Sequence, residues 1–408
     1  MGSSTLKNKL FIVLVGLPAS GKSTTAVKIR ESLQKSNVSC AIFNNGDLRR
    51  KLLKRNTSYS SFYDCNNQQS SLIREKLGLI NIYQARNFLR KQGQVSILDA
   101  THASRRRREL IETRLQEHPI LFIECNNHDQ EILETIITRK ATLSEFSHLN
   151  REEAIASFKQ RIEYYTEIFC PLQKERNYVR FDTLNNLILE SNLQEEIPYF
   201  DQIRDLLVTD QVKNLFLVRH AESFDNVQNR IGGDAELTPG GREQAQRIAR
   251  HFNSTSLPYI FCSSKRRTLQ TAKPVAGMQA DESTVFSLKE FDEIDAGICE
   301  EMSYEEIKRN MPEIYQNRQK DKYHYIYPGG EGYVSMRRRI HKGVKKALYL
   351  SGKAQNIMIV GHRAVNRMIL AHFLYRRISD VPYIFVPQDR YYHIISTQQK
   401  KLFELKWI

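Results

Sequence analysis

The stretch "LFIVLVGLPASGKS", residues 10 to 23, leaves a folding chain few options. Its uninterrupted apolar start reads as a strand buried on both faces, and the residues after Ser23 keep helical apolar spacing to about Gln34. Between strand and helix, Gly16 to Ser23 satisfies G-x-x-x-x-G-K-[ST]. The spacing has a physical reason. Gly16 and Gly21 let backbone N–H groups turn inward on phosphate oxygens, Lys22 reaches the outer phosphates, and Ser23 offers a hydroxyl to Mg²⁺. Average residue usage predicts on the order of 0.01–0.02 chance matches in a chain of 408 residues. A strand feeding a glycine loop and then a helix commits this part of the chain to an α/β fold with a mostly parallel sheet.

Further apolar runs at 39–43, 95–98, 120–124 and 178–181 continue the alternation. One of them, in "VSILDAT", stops on Asp99, the carboxylate that Mg²⁺-ATP needs at the end of a neighbouring strand. The run Arg105 to Arg108 follows, opening a helix that Ser104 is placed to cap, and at least one of these arginines is expected to point inward. Residues 183–213 have helical apolar spacing and no motif, which predicts packed helix joining two domains. A second alternation begins at Asn214, with runs at 214–218, 258–262 and 356–360. In "TPGGREQAQRIARHF", Thr238 caps, Pro239 suits the first turn, and Ala245, Ile248, Ala249 and Phe252 form one face. "PYIFV", "YYHIIS" and "KLFELKWI" read as closing strands. The expectation is two α/β domains, 1–213 and 214–408, each a mostly parallel sheet flanked by helices.

Two strands of the second half end on histidine: "NLFLVRHAES" gives His220 and "NIMIVGHRAV" gives His362. One such residue is ordinarily a surface or satisfied core histidine. Two on adjacent strands would share the crevice at the carboxyl edge of a sheet. Arg219, Asn226, Arg266 and Arg267 come from the same strand ends, and converging cations suit a phosphate dianion, which repels nucleophiles until neutralised. His220 would attack phosphorus, His362 and the arginines would stabilise the charge, and water would discharge the phosphohistidine. The leaving oxygen needs an acid. "KEFDEIDAG" offers Glu290, Asp292, Glu293 and Asp295, and the residues alone do not single one out. Nothing in this chemistry requires a metal.

A net charge of +15 fits either a nucleic-acid partner or phosphorylated substrates. The six cysteines are scattered without metal-ligand spacing, and no stretch reaches the roughly 18 apolar residues of a membrane span, so a cytoplasmic protein without membrane contact is expected.

The segments "GLPASGKS", "FNNGDLRR", "DATHASRRRR", "KQRIEYY", "RHAESFDN" with "RIGGD", "RRTLQTA", "EIDAGICEEMSYEEI", "DKYHYIYPGGEGY" and "GHRAVNRMILAHFL", in that order, resemble the bifunctional 6-phosphofructo-2-kinase/fructose-2,6-bisphosphatase family over nearly the whole chain. The resemblance implies a P-loop kinase domain fused to a histidine phosphatase domain of the phosphoglycerate mutase-like fold. It further implies synthesis and hydrolysis of fructose 2,6-bisphosphate, a regulator of glycolytic flux, with ATP and Mg²⁺ at the kinase and possible homodimers. By the same resemblance Lys22, Ser23 and Asp99 serve ATP and Mg²⁺, and Arg49, Arg74, Arg105, Lys140, Arg161 and Tyr165 serve fructose 6-phosphate. His220 would be the nucleophile, Glu293 the acid, and Arg219, Asn226, Arg267 and His362 the phosphate pocket. Tyr304, Arg318, Lys322, Tyr333 and Arg367 would hold the sugar and its second phosphate, with Arg363 beside them. The chain departs from the family pattern at Ser20 (Arg), His102 (Asn), Ala103 (Thr), Ala221 (Gly), Ile326 (Arg) and Arg363 (Gln). Two rival readings remain: a nucleic-acid end-processing kinase-phosphatase, and a phosphatase-only or catalytically silent sensor of ATP or sugar phosphates.

Overall fold

In the computed structural model, residues 8–53, 57, 59–64, 66–374 and 377–408 are described. Strands β1 (Leu10–Val15), β2 (Cys40–Asn44), β3 (Val95–Asp99), β4 (Ile120–Asn126), β5 (Asn177–Asp182) and β6 (Leu187–Leu193) form one sheet in the order β2-β3-β1-β4-β5-β6. All neighbours are parallel except β6, which runs antiparallel to β5. The unbroken apolar run of β1 follows from burial on both sides. Leu10, Ile12 and Leu14 join a core with Ile29 and Leu33, while Phe11, Val13 and Val15 join another with Leu89 and Ile111. The register pairs Leu14 with Asp99, which sets the glycine loop beside the carboxylate.

The segment 183–213 corrects the helical expectation. Only Phe200–Val208 is α-helix, and β6 precedes it as an edge strand. The cause is local. Asp182 Oδ1 accepts from the N–H groups of Leu184 and Asn185, at 3.0 and 2.9 Å, and Asn186 adopts φ 49°, so the chain reverses into a hairpin. Leu187 and Leu189 are exposed on that edge, where apolar spacing reports no core.

The second sheet has the order β12-β11-β7-β10-β8-β9, from β7 (Val212–Arg219), β8 (Tyr259–Cys262), β9 (Thr284–Ser287), β10 (Asn356–Gly361), β11 (Arg390–Ser396) and β12 (Lys401–Trp407). β11 and β12 are antiparallel additions to a parallel set. The short β9 carried no readable signal. "PYIFV" is not a strand: its start closes a 3₁₀ turn at Ile378–Tyr383, and prolines 382 and 387 cannot donate to a ladder. The helix Pro239–His251 is capped as its sequence predicts, with Thr238 Oγ1 accepting from Gly241 N at 2.9 Å. β7 and β10 are parallel neighbours, with Arg219 opposite Gly361, so His220 and His362 leave the sheet side by side. One compact unit ends at Thr209 and the other begins at Asp210. Among the described residues no helix is long and apolar enough to cross a membrane.

Candidate active sites

The glycine loop is held from below. A Cβ on Gly16, at φ 141°, would stand 2.5 Å from the Cys125 carbonyl oxygen, so glycine is required there. Gly21 takes φ 86° to open the helix Lys22–Lys35. Lys22 donates to the carbonyls of Gly16 and Leu17, at 2.8 and 2.5 Å, and reaches Ser20 Oγ at 3.4 Å. Burial pushes its amine down to about 8 against the pull of Asp99. Asp99 is buried and accepts from Asn44 Nδ2 at 2.5 Å, while Ser23 stays exposed at the start of the helix.

Beyond the loop, cations collect around one phenol ring. Arg161 lies 4.0 Å and Arg49 5.6 Å from the Tyr63 ring centroid, and Tyr165 packs against the same ring at 6.1 Å. Lys140 is pushed down to about 8 by burial and by the charges of Lys22 and Arg161, which places it in this group. Among the described residues, Arg49 Nε, Arg161 Nε and the Tyr63 hydroxyl are buried without hydrogen-bond partners. Buried orphans of this kind cost about 1–3 kcal/mol each unless a ligand satisfies them. Arg49 also meets Glu145 at 2.5 Å. Arg74 instead donates to the Phe62 and Asp64 carbonyls, and Arg105 stands exposed beside Glu109 at 2.7 Å. The arginine that points inward is Arg108, 1% exposed, bound to Glu175 at 2.6 Å and to the His102 and Ala103 carbonyls. Tyr63 carried no signal in the sequence, since nothing about "SSFYD" distinguishes a binding phenol from a core one.

In the second unit the two histidine rings lie 5.1 Å apart, tilted by 60°. His220 Nδ1 is 2.8 Å from the Ala221 carbonyl, which only accepts, so Nδ1 carries the proton and Nε2 the lone pair. His362 has the opposite tautomer. Arg267 Nε donates to its Nδ1 at 3.3 Å, so Nε2 donates to Ser263 Oγ at 2.8 Å. Burial first, and the neighbouring arginines second, hold both rings well below the usual histidine range, so both are neutral. With both nitrogens engaged, His362 orients Arg267 and backs His220. Arg267 also donates to the Gly233 carbonyl at 2.8 Å, whereas Arg266 turns out to Asp234 and Glu236.

His220 opens on a cavity of about 620 Å³ whose lining includes Arg219, Asn226, Glu293, Tyr304, Arg318, Lys322, Tyr333, Arg363 and Arg367. Three of the four candidate acids are committed elsewhere: Glu290 to Lys346 at 2.7 Å, Asp292 to Ser264, and Asp295 to the Gly297 N–H at 2.8 Å. Glu293 alone of them lines the cavity, with Oε2 4.0 Å from His362 Nδ1. Arg318 donates to the Tyr304 hydroxyl at 3.0 Å, and Arg367 to the Tyr333 hydroxyl at 2.9 Å and the Ile384 carbonyl at 2.8 Å. Burial and the nearby Arg318 push Lys322 down to about 8. The residue that sequence reasoning missed is Gln388. Its side chain donates to the His220 carbonyl at 3.1 Å and to Asn226 Oδ1 at 3.0 Å, tying the histidine loop to the segment before β11.

The class of protein is thereby defined: a P-loop kinase-like domain followed by a histidine phosphatase domain. Residues 1–212 match the 6-phosphofructo-2-kinase family, and residues 215–407 match the histidine phosphatase superfamily, branch 1. The chain is 32% identical to the 6-phosphofructo-2-kinase/fructose-2,6-bisphosphatase of Gallus gallus over 391 residues, 92% of this chain and 80% of that protein. It is 31% identical to the protein of the same name from Aquarana catesbeiana over 390 residues, again 92% and 80%. Among solved structures, the alpha-ribazole phosphatase of Shigella flexneri is 26% identical, covering 47% of this chain and 95% of its own, with a TM-score of 0.43. The chain belongs to the 6-phosphofructo-2-kinase/fructose-2,6-bisphosphatase family.

Proposed function

We propose that this chain transfers phosphate from ATP to the 2-hydroxyl of fructose 6-phosphate in its first unit and hydrolyses fructose 2,6-bisphosphate in its second. The observation that carries the hydrolytic half is His220: neutral, its tautomer fixed by the Ala221 carbonyl, at the wall of a cavity that Glu293, alone of the four acids of its segment, also lines. The Nε2 lone pair attacks phosphorus, the bond from phosphorus to the sugar oxygen breaks, and the Glu293 carboxyl gives that oxygen its proton. Water then attacks the phosphohistidine, losing a proton to the Glu293 carboxylate, and the electron pair of the P–N bond returns to Nε2. Arg219 and Arg267 neutralise the phosphoryl oxygens, Asn226 donates beside them, and His362 holds Arg267 in place. Tyr304, Arg318, Lys322, Tyr333 and Arg367 take the sugar and its other phosphate.

In the first unit Lys22 would leave the loop carbonyls for the ATP phosphates, and Arg49, Arg161, Lys140 and Tyr165 would receive fructose 6-phosphate. The orphaned Arg49 and Arg161 Nε groups favour an anion there. Arg74 and Arg105 would have to turn from their present partners to join. Ser23 and Asp99 fit Mg²⁺ by chemistry, an exposed hydroxyl and a carboxylate at the strand end, and the ion would neutralise the transferring phosphate.

Incubation with fructose 2,6-bisphosphate labelled at the 2-phosphate, followed by a denaturing quench, should leave acid-labile label on the wild-type protein and none on His220→Ala. An unlabelled wild type at saturating substrate rejects the hydrolytic mechanism.

A further inference from the structure

The phosphatase cavity carries more positive charge than its own carboxylates balance. Arg219, Arg318, Lys322, Arg363 and Arg367 all line it, and among the described residues none of them pairs with a carboxylate. Four have other work. Arg219 reaches the Val386 carbonyl, Arg318 and Arg367 bind tyrosine hydroxyls, and Lys322 sits 4.9 Å from the Tyr383 ring centroid. Arg363 makes no hydrogen bond or ion pair among the described residues. The guanidinium of Arg230, exposed at the cavity rim, is likewise without such a partner, so Arg363 is the uncommitted cation next to the histidines.

Position says which part of the cavity it serves. Arg363 opens the helix Arg363–Phe373, directly after His362, and Gly361 is the register partner of Arg219. It therefore stands at the phosphoryl end of the crevice, near the level of His220. The electrostatics agree: after burial, Arg363 is the foremost influence that lowers Arg219, but it comes after Arg318 and Arg367 for Lys322. Two guanidinium groups that disfavour each other, with Glu293 acting against the repulsion without an ion pair to either, favour an anion between them, and the planar fork of arginine suits a phosphate dianion.

We propose that Arg363 is a specificity-determining residue that, with Arg219, grips the inorganic phosphate left by hydrolysis, so that this cavity retains its product and is inhibited by it. The inference rests on the reading of the cavity as a phosphatase site. The phosphate released from the histidine is a dianion with no sugar attached, and Arg363 supplies a second guanidinium where it forms.

The test uses the full-length chain and inorganic phosphate as the probe. Inhibition of fructose 2,6-bisphosphate hydrolysis by phosphate is compared for wild type, Arg363→Gln and Arg363→Lys, with circular dichroism to verify folding. The inhibition constant should rise about tenfold or more in Arg363→Gln, and by less in Arg363→Lys, which keeps the charge but loses the fork. An inhibition constant within about twofold of wild type in folded Arg363→Gln overturns the inference, including the case where KM alone rises and Arg363 serves the far end of the substrate. Should the Gln variant fail to fold, an unchanged constant in Arg363→Lys overturns it equally. Failure of the underlying reading looks different: wild-type protein then takes no acid-labile label, whatever phosphate does.

Discussion

His102 shows how one side chain can be structural where a motif makes it look chemical. It follows the kinase carboxylate closely in sequence, is 5% exposed, and its Nδ1 donates to the Leu14 carbonyl at 2.8 Å. Its φ of 41° lies in the left-handed region that histidine and asparagine enter more readily than most residues, which explains why the family pattern can carry Asn at this position. Burial pushes the ring down to about 3, so it stays neutral at any working pH. Because the folded pKa is depressed below the unfolded one, the unfolded chain alone takes up a proton as pH falls below about 6.5, and stability declines from there towards pH 3. His102→Asn removes that linkage. Between pH 7 and pH 5 the variant should lose about 2 kcal/mol less unfolding free energy than wild type, read from urea midpoints; equal losses would show that the histidine is solvated. The same depression at His220 and His362 was not readable from sequence, because it comes first from burial and then mainly from Arg267, which is remote from both along the chain.

Elements place the chemistry through a few braces. The loop after β3, which follows Asp99 and carries His102, is held by Arg108 from the helix Arg105–Arg114, which ties the His102 and Ala103 carbonyls to Glu175. Both partners of this ion pair are nearly water-free, with side-chain exposures of 1% and 5%. Removing one leaves a buried charge uncompensated. Arg108→Ala is expected to destabilise the first unit by about 3–5 kcal/mol and to depress kinase turnover with it, measured by urea unfolding and initial rates. A change below about 1 kcal/mol would mean that water replaces the pair. The four-arginine run announced an inward cation, and the fold chose the fourth because the turn after the Ser104 cap points it at Glu175. The hairpin into β6 was hidden for the converse reason: helical apolar spacing in 183–213 was a coincidence of an exposed edge and a following helix.

At the scale of the molecule, each sheet has its own cores and its own site, with no residue shared between the two sets of catalytic groups. Lesions should therefore act separately. Lys22→Met is expected to abolish ATP-dependent formation of fructose 2,6-bisphosphate while leaving the phosphohistidine label intact, and His220→Ala should do the reverse. Loss of both activities in either variant would reveal a dependence that the separate cores do not predict. The nucleic-acid reading loses its ground for a related reason: the phosphatase cavity gathers many of the cations that its motifs carry, and the chain belongs to the 6-phosphofructo-2-kinase/fructose-2,6-bisphosphatase family. What the sequence by itself determined was local and periodic: the glycine loop after a buried strand, the histidines at two strand ends, the Thr238 cap, the alternation that makes two α/β domains. Those features are set by backbone conformation and side-chain spacing over a few residues. Which of four acids lines the cavity of His220, which arginine beside the histidines makes no ion pair or hydrogen bond among the described residues, and that Gln388 fastens the histidine loop were decided only by the tertiary structure. They depend on charges and donors brought together from segments remote in the chain, and the ion pairs and hydrogen bonds made there determine which groups remain free to meet a phosphate.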